Sequence, residues 1–320
     1  MVRHLFGRIL SESHRRGRAV RQELGNDASA ASFDNESPQR PVSGRHELRS
    51  RSKMPHPVLD SASPILIGML HVPPLPGSPR STAAFATIRD RVVKDAAALL
   101  EGGISNLMIE NFGDTPFFPG TVPAHTVAHL TAIATEISSR FPNASIGLNV
   151  LRNDGCSALS IAAATAASFI RVNVLCGARL TDQGIVQGIA HDLLRLRKTL
   201  SAERVAILAD VDVKHSAPLA ERSLADEVDD AIKRGHADAI IVSGNATGAS
   251  VDASRLEEVV AAAGSIPVLI GSGATAESIT KLSRLASGFI VGTAIKRNGD
   301  VHQPVDLSRV REIVSACTSR

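Results

Sequence analysis

The chain has 320 residues and a formal net charge of only +3, with 43% hydrophobic residues but 3% aromatic ones and neither Trp nor Tyr. The hydrophobic share is enough for a sizeable core, whereas the scarcity of rings removes the stacking platforms that a single-strand nucleic-acid binder needs. Cys156, Cys176 and Cys317 are scattered and odd in number, giving neither a disulfide framework nor metal-ligand spacing and favouring a reducing, cytoplasmic setting, and no apolar run is long enough and free enough of charge to span a bilayer.

Residues 1–60 are rich in Arg, Ser, Asn and Pro, and are expected to be a mostly disordered extension. The basic clusters fall here, at Arg15-Arg16-Gly17-Arg18 and Arg49–Lys53. Glu12, Glu23, Asp27, Asp34, Glu36 and Glu47 argue against a transit peptide, and there is no apolar h-region for a signal peptide. The chain changes character just after Met54, so Met54 is an alternative start; a targeting segment and a basic contact arm are the other readings of the extension.

From residue 61 the pattern is regular. Apolar β-runs fall near 65–71, 104–110, 145–151, 168–174, 205–213, 238–243, 266–271 and 288–292, with helical periodicity between them at 83–101, 126–140, 182–200, 219–234 and 256–263 and a last helix at about 306–317. Strands alternating with crossover helices over a span close to the usual size of about 250 residues predict a single α/β domain, a (β/α)8 TIM barrel over residues 61–320. A doubly wound open sheet would call for a Gly-x-Gly-x-x-Gly turn after an early strand, and none is found.

In a barrel of this kind chemistry sits at the C-terminal ends of the strands, and these ends are polar almost throughout. The first ends at His71 and the second at Glu110, with Asp114 in the turn beyond; the third ends at Asn149, and the fourth carries Arg171 and Asn173. Unpaired polar groups buried at a barrel mouth cost about 1–3 kcal/mol each, so their concentration at one end is informative. The fifth strand is the sharpest case. A period of two puts Asp210, Asp212 and Lys214 on one face, followed by His215. Asp210 and Asp212 could hold a divalent cation such as Mg²⁺ or Mn²⁺, and Lys214 could be a general base, a Schiff-base nucleophile or a counter-charge to phosphate. The bland reading is an internal ion-pair network tying neighbouring strands together. Glu110 could pair with Lys214 or Arg171, ligate a metal or act as acid or base; Asn149 and Asn173 could orient substrate; His71 and His215 gain weight from position alone. Asp114 is equally ordinary turn chemistry. Arg152-Asn153-Asp154 could cap the following helix, with Asn153 or Asp154 as the N-cap.

The sixth strand ends Ser243-Gly244, the seventh Gly271-Ser272-Gly273, and the eighth Gly292-Thr293, with Lys296 just beyond. Glycine lets backbone amides approach an anion closely, and a following helix N-terminus adds favourable partial charge, so these residues are the candidate phosphate site. A tight turn into a helix would also need small residues, but two such loops in the last two units favour a phosphate cup.

The segments 67–79, 109–117, 147–154, 170–173, 210–215 and 241–248, with the two glycine loops, together resemble the BtpA family, also called the BtpA/SgcQ family, over about residues 61–318. The resemblance implies a TIM barrel. The family takes its name from a role in photosystem I accumulation in cyanobacteria, and relatives occur in organisms without photosynthesis, some beside sugar-uptake genes; no catalytic residues are carried over from it. The expectation is an enzyme acting on a small phosphorylated metabolite, a sugar phosphate or nucleotide, with lyase, isomerase and hydrolase chemistry all open. A non-enzymatic biogenesis or assembly factor and a metabolite-binding sensor are the alternatives, and a homo-oligomer is compatible with each.

Overall fold

The computed structural model describes residues 56–60, 63–244 and 251–318. The expected extension therefore lies outside the described residues, except at its end. Eight parallel strands close into a barrel: β1 (Ile65–His71), β2 (Asn106–Glu110), β3 (Ser145–Asn149), β4 (Phe169–Val172), β7 (Ala206–Val211), β9 (Ala239–Val242), β10 (Val268–Ile270) and β11 (Gly288–Val291), with β1 pairing both β2 and β11. Around them run α1 (Phe85–Glu101), α2 (Ala124–Arg140), α3 (Gly155–Thr165), α4 (Ala190–Thr199), α5 (Leu224–Lys233), α6 (Ala253–Ala263), α7 (Ala276–Leu282) and α8 (Leu307–Thr318). The expected TIM barrel is the observed fold.

Strand alternation divides the core into two layers. Leu70, Leu107, Ile109, Leu148, Ile170 and Ile207 point outward and pack under the helices. Ile65, Ile67, Met69, Met108, Phe169, Leu208, Ile241, Leu269 and Ile290 fill the interior. Gly147 leaves the room that the Phe169 ring takes: a Cβ there would sit 2.0 Å from Cε2 of that ring. Val58 and Leu59 belong to the same interior cluster and are 2% and 6% exposed, while His56 Nε2 lies 2.9 Å from the Ser168 carbonyl oxygen. The packed chain thus begins by His56, ahead of the expected boundary at 61. Two apolar residues have no periodicity to betray them, so only the open end of the barrel reveals their use.

Two helices are shorter than their periodicity suggests. The segment expected as helix from 182 instead opens with a hairpin, β5 (Ala178–Thr181) and β6 (Gly184–Gln187), and β8 (Ser216–Pro218) pairs antiparallel with β5. Gly184, at φ 89°, makes the hairpin turn possible. This three-stranded sheet is built from the segments that follow β4 and β7. Among the described residues, no helix is long and apolar enough to cross a membrane.

Candidate active site

Following the inward face of each strand upward gives the floor of the site. His71 pairs in register with Glu110, and Glu110 with Asn149, so three polar side chains lie next to one another at the ends of β1, β2 and β3. On β4 and β7, Arg171 grips Asp210 with two hydrogen bonds, Nε to Oδ2 at 3.1 Å and Nη2 to Oδ1 at 3.0 Å. Asn173 Nδ2 donates to Asp210 Oδ2 at 2.6 Å, and Asn149 Nδ2 donates to Asn173 Oδ1 and to the Arg171 carbonyl, both at 3.1 Å. This buried network is the internal pairing weighed in the sequence. It leaves Asp210 with Arg171 and Asn173 rather than with Asp212.

Above the floor lies a cavity of about 730 Å³, lined by His71, Glu110, Arg171, Asn173, Lys214 and His215 on one side and by Gly271, Ser272, Gly273, Gly292 and Thr293 on the other. Met69, Phe112, Phe117, Leu151 and Ile290 give it apolar wall. Gly292 is needed where it stands: a Cβ would lie 2.8 Å from His71 Cε1. Gly273 has φ 70°, which a side chain would strain. Among the described residues, the amides of Ser272, Gly273, Ala274, Thr293 and Ala294 donate to no backbone or side-chain acceptor. Among the described residues these five amides thus lack an acceptor, around two loops at the rim of the cavity. α7 has only seven residues, so the helix dipole behind these loops is small.

Electrostatics in the cavity bring acid and base together. Burial raises the Glu110 carboxyl above its ordinary value, against the opposing pull of Arg171 and Lys214. Burial, then the Arg171 charge, lowers the Lys214 ammonium. His71 is held well below its ordinary value by burial and then by Lys296 and Lys214, so it stands as a neutral imidazole with Nε2 3.7 Å from Glu110 Oε1. Its buried Nδ1 has no hydrogen-bond partner among the described residues. His215 is lowered too, by burial and by Lys214.

Several candidates stand elsewhere. Strand β7 ends at Val211, and Asp212, at φ 44°, leaves the expected ladder to pair with Arg179 and Arg255, outside the cavity. The proposed metal pair Asp210 and Asp212 is therefore not assembled, and among the described residues no group of three or more His, Cys, Asp or Glu could hold a metal ion. Lys296 is also turned away from the glycine loops: it is 1% exposed and donates to Asp95 of α1 at 2.8 Å. Ser243 and Gly244 line a second cavity with Asp212 and Arg255. Asp114 staples its own turn, accepting from the Leu75 amide at 2.9 Å and from Asn111 Nδ2 at 3.2 Å. Asp154 is the N-cap of α3, accepting from the Ser157 amide, and also accepts from the Val122 amide, both within 2.9 Å.

Arg152, Asp182 and Arg309 line the cavity without having been singled out for it. Arg152 follows β3 in a loop where period-two counting no longer applies. Arg309 comes from α8, well past the last strand, and its Nη1 donates to the Ala294 carbonyl beyond the last glycine loop at 3.3 Å. No strand-end rule reaches either residue.

Fold and site together define a TIM-barrel protein with a polar mouth at the C-terminal ends of its strands. The BtpA family profile matches residues 62–319, and the chain belongs to that family. It is 45% identical over 249 residues to an uncharacterised protein of Thermococcus kodakarensis, covering 78% of this chain and 93% of that one. It is 44% identical over 251 residues to the photosystem I biogenesis protein BtpA of Synechocystis, covering 78% and 87%. An uncharacterised mitochondrial protein of Caenorhabditis elegans is 31% identical, covering 80% and 94%. Solved structures share the fold at low identity. N-(5'-phosphoribosyl)anthranilate isomerase from Pyrococcus furiosus superposes with TM-score 0.50 at 13% identity, covering 80% of this chain and 98% of that chain. KGPDC from Streptococcus mutans gives TM-score 0.50 at 11% identity, covering 80% and 97%.

Proposed function

We propose that this barrel is an enzyme acting on a small phosphorylated metabolite, whose phosphate rests on the amides of 272–274 and 293–294 while Glu110 and Lys214 carry out proton transfer. The observation that carries this reading is that a carboxyl pushed up and an ammonium pushed down face the same cavity as two loops whose amides have no acceptor among the described residues. Acid and base groups brought toward the working pH range are what proton-transfer chemistry requires. Asn173 and the neutral His71 would orient the substrate, with Asn149 holding Asn173 in place. Arg309 would add positive charge beside the cup. A sugar phosphate or a nucleotide fits the cavity volume. That Cys156, Cys176 and Cys317 form no disulfide among the described residues fits the cytoplasmic setting that this reading assumes.

A thermal-shift screen against sugar phosphates and nucleotides tests the cup. A ligand at 100 times its Kd should stabilise by about 2.7 kcal/mol, and the gain should vanish in Gly273→Asp, which brings both negative charge and a strained φ. Turnover of the hit should fall about 10²–10⁴-fold in Glu110→Gln with binding retained, and by a similar factor in Lys214→Met. A hit without turnover would instead make the protein a sensor.

An assembly-factor role is the second reading. The Synechocystis relative carries that name, and Leu180 and Ile185, opposed across β5 and β6, are 50% and 55% exposed. An apolar pair of this kind suits a protein contact, whether with a partner or with another copy of the chain. The absence of any small-molecule hit, together with loss of a captured partner in Leu180→Lys, would favour it.

A further inference from the structure

Three cations meet where β3, β4 and β7 open into the cavity, and among the described residues only Arg171 has an ion-pair partner. Arg171 has Asp210 as a bidentate partner. Arg152 is 6% exposed; its Nη2 donates to the Lys214 carbonyl at 2.7 Å, and its buried Nε has no partner among the described residues. The Lys214 ammonium makes no hydrogen bond or ion pair among the described residues. The nearby anions do not fill this gap. Asp210 is taken up by Arg171 and Asn173; Glu110 is held toward its neutral form and lies beside His71; Asp182 acts on Arg152 without forming an ion pair. Burying a cation without a partner is costly, and both Lys214 and Arg152 are lowered first by that burial.

We propose that Arg152 and Lys214 form a second anion subsite, separate from the glycine loops, so that the ligand carries an anionic group at each end: a phosphate on the cup and a carboxylate or second phosphate on Arg152 and Lys214. The two subsites lie on opposite arcs of the barrel, since β9 separates β7 from β10 on one side and β1 and β2 separate β3 from β11 on the other. A guanidinium and an ammonium converging from two loops suit an oxyanion, with the planar Arg152 fork giving direction and Lys214 a point charge. The inference rests on the phosphate reading of the glycine loops for its first end only.

Calorimetric titration of the full chain with inorganic phosphate tests it, since phosphate can probe both subsites. The expected result is two phosphates per chain, one weakened about tenfold or more by Arg152→Gln and by Lys214→Met through the loss of a charge-assisted hydrogen bond, and the other weakened by Gly273→Asp. Lys214→Met keeps the backbone carbonyl that Arg152 holds, so it reads the subsite even if Arg152→Gln disturbs the loop. A single phosphate that responds only to Gly273→Asp overturns the second subsite and leaves the cup standing. A single phosphate that responds only to Arg152→Gln and Lys214→Met keeps the subsite and removes the cup. A second phosphate indifferent to both substitutions, or no phosphate bound at all, overturns the proposal.

Discussion

Burial holds the Glu110 carboxyl above its ordinary value of 4.5 and the His71 imidazole well below 6.5, and the two shifts leave opposite marks on stability. For Glu110 the folded state keeps its proton longer than the unfolded chain does. Its contribution is therefore full below 4.5 and is lost as pH rises through the folded value. Glu110→Gln, which stays neutral throughout, should gain melting temperature relative to the parent between pH 4 and pH 8; parallel curves would show that the carboxylate ionises at no cost. For His71 the folded state refuses a proton that the unfolded chain accepts. Its contribution is full above 6.5 and is lost as pH falls from there to the folded value. His71→Gln should flatten that acid-side decline, and an unchanged slope would assign the decline to other groups. The polar character of both positions is plain in the sequence. Their protonation is not, because desolvation by the closed barrel is the largest cause of each shift.

The loop between β11 and α8 is braced by one buried acid on α1. Asp95 Oδ2 accepts from Lys296 Nζ and Oδ1 from the Val305 amide, each at 2.8 Å, which ties the two sides of the loop to the helix. The Asp306 amide donates to the Ile295 carbonyl at 2.9 Å, so the same brace fixes the 3₁₀ turn Thr293–Ile295 that would carry half of the proposed cup. Lys296→Met would leave the Asp95 carboxylate buried without its cation and should cost about 3–5 kcal/mol in denaturant unfolding. Adding Asp95→Asn should return part of that loss, and strictly additive costs would mean that the pair is uncoupled. Proximity to the glycine loop made Lys296 look like an anion ligand, but its rotamer points the other way. Element boundaries failed for a similar reason. The helical period at 182–187 is also met by a short hairpin, and pairing with β8, some thirty residues on, decides between them.

At the scale of the whole barrel, Val58 and Leu59 close the end opposite the cavity. Each buried aliphatic side chain contributes about 1.5–3 kcal/mol, so a chain beginning at Met54 should keep the melting temperature of the full chain, whereas one beginning at residue 61 should be less stable by about 3–6 kcal/mol. Equal stability of the two would show that the barrel end closes without them. The sequence by itself determined the eight-stranded alternation, the family and the polar strand ends, because strand and helix periods are local and each strand end lies next to its own glycine or acid. Tertiary structure alone decided which of those polar groups share a cavity. Closing the barrel turned Asp212 out toward Arg179 and Arg255, sent Lys296 to Asp95, and brought in Arg152 and Arg309 from a loop and a distant helix. Side-chain direction beyond a strand's last residue follows loop dihedrals and available counter-charges, and these are fixed only when the other strands are in place.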